Sequence, residues 1–356
     1  MGTCDCPMCD KNHGDAKYAK NVNIINSIKG DKKILNKGLI GIKKNQLNPL
    51  LNCLLQCFSH TTELKDYFLG QYKNVNNNNN LSNQFYSIIN KIWIPKDNNP
   101  ISSVNFGKDV NELKVLINYI IETLHKELNQ PNNNKVDEYQ LLDESEEKNI
   151  IYNEFYRKLY GNNNSIIFNL FYGIEQTLFK CQNCYKEKYN YNSYTFIEFP
   201  LEEIYKFNYP IIRTLNNASI NMMQSFTYLN EHYINDNNKV ECKKCSSLTE
   251  DKIQKTLYTL PKKLIIVINR ENAQNINYDF IVEKQLDLND YVTNTEERND
   301  YRLYACIVAI EKNYVAFCLH KDNNKWYKFN DDEVKECNND EYLTGMHSVL
   351  FYEKIE

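Results

Sequence analysis

Two Cys-x-x-Cys pairs, Cys181–Cys184 and Cys242–Cys245, constrain the fold of this chain more than any other feature. Each pair can set two thiolates on one tight turn. Four such thiolates complete the closed tetrahedral shell of a structural Zn²⁺ and leave no position open for chemistry. The intervening residues 185–241 are too many for a simple zinc ribbon. The pairs are therefore expected at the tips of two hairpins, with an insertion between them and a metal that fixes the hairpins.

Twelve cysteines could instead signal disulfides in a secreted chain. The first twenty residues lack an apolar signal core, however, so a cytoplasmic or nuclear protein is expected, in which paired cysteines act as metal ligands. The opening "MGTCDC" has Cys6 where a myristoylation signal has Ser or Thr. Cys4, Cys6, Cys9 and His13 offer a second donor set, but their spacing is unusual and little apolar sequence supports it. A metal-free tail is the plainer reading of that segment.

With 42% hydrophobic and 25% charged residues over 356 positions, the chain can bury a core of one large domain or two ordinary ones. A net charge of -4 and a pI near 6.0 leave no basic footprint, so direct nucleic-acid contact is not expected. The longest apolar run, within "KKLIIVIN", is too short to cross a bilayer.

Residues 1–37 lack sustained periodicity and read as an N-terminal extension. The Asn-rich stretch 74–83 and the Asn-rich, acidic stretch 129–149 read as surface insertions. Apolar residues at helical spacing (Leu51, Leu54, Leu55, Phe58, Leu64) predict helix over 49–69, and "NELKVLINYIIETLHKEL" (111–128) predicts a second. From about residue 166 the texture is strand-like, as in "KKLIIVINR", "YRLYACIVAI" and "NYVAFCLHKD". Helices followed by antiparallel-type strands predict an α+β protein.

The order of these features, "LLQCF", "KDVNEL", the Cys-x-x-Cys pairs, "LPKKLIIVINR" and "WYKFNDDEV", resembles the ubiquitin-specific protease (USP) family from Gly38 to Glu356. The resemblance implies a papain-like fold with a helical thumb, a β-rich palm and zinc-bearing fingers (about 166–260 here) that grasp ubiquitin. It also implies where the active centre should be. The first family box, G-L-x-N-x-G-N-T-C-Y-M-N-S-x-L-Q-C-L, fits without gaps from Asn52 through Leu55, Gln56, Cys57 and Phe58 to Asp66–Leu69. Its nucleophile falls on Pro49, or on Gln46 if three residues are inserted after "GLIG". Its oxyanion donor falls on Lys44, beside Asn45. Proline suits a first helical turn. Cys53, one turn further on, is expected in the core, whereas an active thiolate needs an accessible, electropositive setting.

The second box, Q-Q-D-A-x-E-F-L, appears as "GKDVNEL" (107–113) with Asp109, Glu112 and Leu113 matching. The resemblance implies that Asp109 and Glu112 face the basic tail of ubiquitin, although a solvated helix N-terminus favours acids too. The third box, G-H-Y-x-A-Y, reads Lys312 to Phe317 and puts Asn313 at the histidine. W-x-x-F-D-D puts Asn330 at the orienting acid, with Asp331 next. An asparagine cannot take a proton from a thiol near neutral pH. His320 reads as a surface histidine and His60 as a structural one.

The resemblance thus implies a pseudoenzyme that binds ubiquitin, a ubiquitin-like protein or another partner, alone or in a multiprotein complex, without hydrolysis. Two alternatives stay open: a cysteine-type deubiquitinase with its nucleophile displaced to Cys53, and a non-catalytic splicing component. The latter rests on "GLIGIKKN" and "NYVAFCLHKDNNKWY", which are similar to a catalytically dead family member of the tri-snRNP. That member lacks the paired Cys-x-x-Cys and carries a zinc-finger domain for which residues 1–37 are too short.

Overall fold

A computed structural model describes residues 35–44, 48–73, 80–104, 112–131, 141–215, 219–231, 233–270, 279–294, 297–310, 313–338 and 340–355. The readings placed on Cys4, Cys6, Cys9, His13, Asn45, Gln46 and Asp109 lie outside these residues.

The "LLNCLLQCFS" run forms α1 (Pro49–Ser59), with every residue from Leu50 to Ser59 buried. A helix buried on every side belongs inside a domain, with its polar residues Asn52, Gln56 and Ser59 hydrogen-bonded there. Here α2 (Thr62–Gly70), α3 (Leu81–Trp93), α4 (Leu113–Leu128) and α6 (Ile166–Phe171) gather around it. Between α4 and α6, helix α5 (Glu147–Asn162) lies over the strands that follow.

Two large sheets complete the frame, beside a parallel pair of two-residue strands, Ile220–Asn221 (β4) with Phe280–Ile281 (β8). Strands β1 (Gly173–Lys180), β2 (Glu187–Tyr194), β5 (Tyr233–Glu241) and β6 (Leu248–Thr259) form an antiparallel sheet in the order β2-β1-β6-β5. Between its two hairpins run β3 (Ile197–Pro200), α7 (Leu201–Leu215), β4 (Ile220–Asn221) and α8 (Met222–Glu231). The larger sheet uses β3 with β7 (Lys263–Asn269), β9 (Gln285–Asp287), β10 (Asp300–Ile310), β11 (Asn313–His320), β12 (Lys325–Asn330), β13 (Glu333–Glu336) and β14 (Met346–Lys354). Their order is β13-β12-β11-β10-β14-β7-β3, with β9 beside β10. Only β3–β7 is parallel among the pairs of this sheet.

Side chains of a strand alternate between faces, and both faces of the large sheet are apolar. Ala305, Ile307, Ala316, Cys318, Val349 and Phe351 pack against α1 to α4, while Cys306, Val308, Val315, Phe317, Leu350 and Tyr352 pack on the side of α7 and α8. A third, tyrosine-rich core of Tyr152, Tyr156, Tyr191 and Tyr258 glues α5 to the four-stranded sheet. The architecture is α+β as expected, with helical thumb, central palm and projecting fingers.

Several elements depart from the sequence reading. Helix α3 begins at Leu81, inside the stretch expected as an insertion, because Leu81, Phe85, Ile88, Ile89 and Ile92 form a buried face within Asn-rich sequence. Helix α5 begins inside 129–149, its inward positions filled by tyrosines among charges. Helices α6, α7 and α8 fall in the region expected as strands. No helix among the described residues is long and apolar enough to cross a membrane.

Candidate functional site

Pro49 is the first residue of α1, where its missing N–H deprives the helix of nothing. Asn48 caps the helix by accepting from the Leu51 amide at 3.1 Å. One turn on, Asn52 is buried, and its Nδ2 donates to Lys43 O (3.0 Å) and Asp331 Oδ1 (2.7 Å). Asp331, in the left-handed region at φ 53, accepts the Ile42 amide on its backbone oxygen. Gly41 packs so closely here that a Cβ would lie 2.5 Å from the Asp332 carbonyl oxygen.

Asn330 ends β12 and accepts from Asn313 Nδ2, at the start of β11, over 3.3 Å. The two positions that the resemblance assigns to the base and its orienting group therefore touch, and both carry amides. Lys44 is exposed and follows Lys43 in sequence, and the alternative nucleophile position Gln46 lies outside the described residues. The Asn52–Asp331 contact was missed in the sequence. Its partners are 279 residues apart and no local signal links them.

Among the described residues, no thiol near this rim is poised to react. Cys53 is 3% exposed, and burial, with Cys57 and Asp331 adding, pushes its thiol well above the ordinary range. Burial does the same to Cys57 and Cys306 and raises Cys318, and Cys337 is pushed up to about 12 by burial and Glu341. None of the nine described cysteines forms a disulfide.

The described histidines are all buried, and none hydrogen-bonds to Asn313 or Asn330. His60 faces Gln56 O at 2.8 Å, and burial holds it at about 4. His125 sits between Ser165 Oγ (2.7 Å) and Asn163 Oδ1 (2.8 Å), and His347 faces Tyr342 O at 2.9 Å. His320 corrects the expectation of a surface residue. It is 5% exposed, stacks on Trp93 with centroids 5.4 Å apart, and lies 2.9 Å from Lys37 O. The end of β11 is covered by α3 and the chain around Gly38, which no strand pattern announces.

Glu112 stands exposed at the N-cap of α4 without a capping bond from its side chain. Its proposed companion Asp109 lies outside the described residues.

The four cysteines of the paired motifs meet at the far end of the fingers, in the β1–β2 and β5–β6 turns. Their sulfurs all lie within 4.8 Å of one another, with Cys181–Cys245 at 3.9 Å and Cys184–Cys242 at 3.6 Å. A tetrahedron with Zn–S bonds of about 2.3 Å has S···S edges of about 3.8 Å, so the set fits this ion.

The two turns share one backbone design. Tyr185 N donates to Cys181 O (3.0 Å) and Ser246 N to Cys242 O (2.8 Å), while the Cys181 and Cys242 amides donate to Lys186 O and Ser247 O. Tyr185 and Ser246 both take positive φ, 58 and 51. Asn183 Nδ2 bonds Ser247 Oγ at 2.8 Å and ties one turn to the other.

The family description "Ubiquitin carboxyl-terminal hydrolase" (UCH) matches residues 40–352. Human ubiquitin carboxyl-terminal hydrolase 2 is 22% identical over 349 residues, covering 89% of this chain and 55% of the relative. Bovine ubiquitin carboxyl-terminal hydrolase 21 is 21% identical, covering 91% of this chain and 63% of the relative. The chain thus spans little more than half the length of these curated relatives. In fold it is similar to a chain of the yeast SAGA DUBm solved with an Sgf73 mutant, at a TM-score of 0.63 and 16% identity, covering 96% of this chain and 76% of the other. The chain belongs to the ubiquitin carboxyl-terminal hydrolase family.

Proposed function

We propose that this chain binds ubiquitin or a ubiquitinated protein and does not hydrolyse it, as a pseudoenzyme of its family. The observation that carries the reading is the Asn313–Asn330 hydrogen bond, an amide pair where a base and its orienting group would stand. Cysteine hydrolysis needs a nucleophile, a base and oxyanion stabilisation in one geometry. Pro49 offers no thiol and Asn313 no titratable nitrogen. Losing either member removes most of the rate, and one cannot compensate for the other.

Cys53 does not supply a displaced centre in this reading, because a buried thiol with a raised pKa is rarely a thiolate. Glu112, with Asp109, would receive the basic tail of ubiquitin. Cys181, Cys184, Cys242 and Cys245 would hold a structural Zn²⁺, whose contribution is to fix the two finger hairpins. A protein partner beyond ubiquitin, as Sgf73 accompanies the SAGA DUBm, belongs to the same proposal.

The test is a calorimetric titration with mono-ubiquitin, run beside a cleavage assay on a ubiquitin–fluorophore conjugate, with metal content measured on the same sample. Binding without turnover, and one zinc per chain, are expected. Turnover would overturn the pseudoenzyme reading, and absence of binding would overturn the ubiquitin reading.

A further inference from the structure

Counting from Asp109 and Glu112, Leu113 takes the Phe of the Q-Q-D-A-x-E-F-L box and its final Leu falls on Lys114 in this chain. Lys114 lies in the first turn of α4, and its side chain reaches from the thumb to the palm. Its Nζ is 3.1 Å from Glu198 Oε1 on β3 and 3.9 Å from Glu112 Oε1. Glu198 Oε1 also accepts from Asn269 Nδ2 of β7 at 2.6 Å, which fixes the carboxylate from the palm side. One turn further along α4, Asn118 Oδ1 accepts from Thr195 Oγ1 at 3.3 Å, so this face of the helix is held toward the start of β3. Glu198 also lines a cavity of about 260 Å³ shared with Glu202, Glu203, Asn269 and Arg270.

We propose that Lys114 is an internal stand-in for a basic tail residue. Its ammonium occupies the carboxylates of Glu112 and Glu198, and an extended basic tail docks there only by displacing it. The proposal rests on the ubiquitin-binding reading above and names the residue that governs affinity at the tail site. The chemistry is a competition between cations for one pair of carboxylates. A pair already neutralised by a tethered lysine gains less from an incoming cation than a bare one. Side-chain exposures of 26% for Lys114 and 34% for Glu198 keep the contest modest and sensitive to salt. A tail with neutral residues at these positions does not compete for the carboxylates, so Lys114 leaves its binding unchanged.

The experiment titrates two ligands, mono-ubiquitin and ubiquitin with its basic tail residues replaced by alanine. The receptors are the wild-type chain, Lys114→Met, Lys114→Gln and the charge-retaining Lys114→Arg. Lys114→Met and Lys114→Gln are expected to bind ubiquitin about two- to fivefold tighter than wild type at low salt. Lys114→Arg is expected to match wild type, and the gain should vanish with the alanine tail. Unchanged or weaker binding by both neutral variants, or a gain that persists with the alanine tail, overturns this proposal alone. No binding by any receptor overturns the ubiquitin reading and this proposal together.

Discussion

Asn52 Nδ2 donates to Asp331 Oδ1 across 2.7 Å and so joins the first helix of the thumb to the turn after β12, 279 residues away. The same amide holds Lys43 O, so one side chain fastens three segments at the rim where α1, β11 and β12 converge. Removing it leaves a partly buried backbone carbonyl and a carboxylate short of a donor. Asn52→Ala is expected to cost about 1–3 kcal/mol of stability, read from urea denaturation.

Pro49→Cys returns a thiol to the start of α1 without returning a base. Because Asn313 cannot accept its proton, the single variant is expected to leave ubiquitin–fluorophore cleavage at background, as is Asn313→His alone. Stability should change by less than about 1 kcal/mol for Pro49→Cys, since proline at this position acts chiefly by restricting the unfolded chain. Activity from either single variant would show that the missing partner is supplied elsewhere.

His60 gives the protein an acid sensitivity of definite sign. Burial holds its folded-state value at about 4, against 6.5 for a free imidazole. Between these values the unfolded chain binds the proton that the folded chain refuses, so stability is lost as pH falls from about 6.5 toward 4. Desolvation lowers His125 and His347 in the same direction. The full His60 contribution is about 3 kcal/mol. Denaturation midpoints at pH 7 and pH 5 should therefore differ, and His60→Asn should flatten the dependence.

Chelation of the proposed zinc should act locally. The cysteine cluster lies at the far end of the four-stranded sheet, while α1 to α4 and the palm share a core of their own. Stripping metal, or Cys181→Ser with Cys245→Ser, should therefore raise amide exchange across β1, β2, β5 and β6. The helices of the thumb should keep their protection. Uniform loss of protection would mean that the fingers and thumb fold as one unit.

The sequence was most legible where one local pattern sufficed. The apolar spacing of "LLNCLLQCF" announced α1, and "KVLINYIIETLHKEL" announced α4. Two Cys-x-x-Cys turns foretold a pair of hairpin tips, and those tips meet. Legibility failed where composition masked periodicity, as in α3 amid asparagines and α5 with tyrosines for its core. It failed again where the deciding contacts were long-range. Nothing near His320 in sequence shows that Trp93 and Lys37 will cover it, and nothing near Asn52 points to Asp331. The Asn313–Asn330 pair lay between these cases. Each residue was named from a motif, but their contact depended on the β11–β12 register.

The most direct measurement is intact mass after incubation with ubiquitin carrying a C-terminal thiol-reactive electrophile, under conditions where binding of mono-ubiquitin has been demonstrated. With Pro49 and Asn313 as the proposed centre and Cys53 buried in the core, the predicted result is bound ubiquitin and no covalent adduct. A stoichiometric adduct that disappears in Cys53→Ala would contradict the proposed loss of hydrolysis and place this chain among the active members of its family.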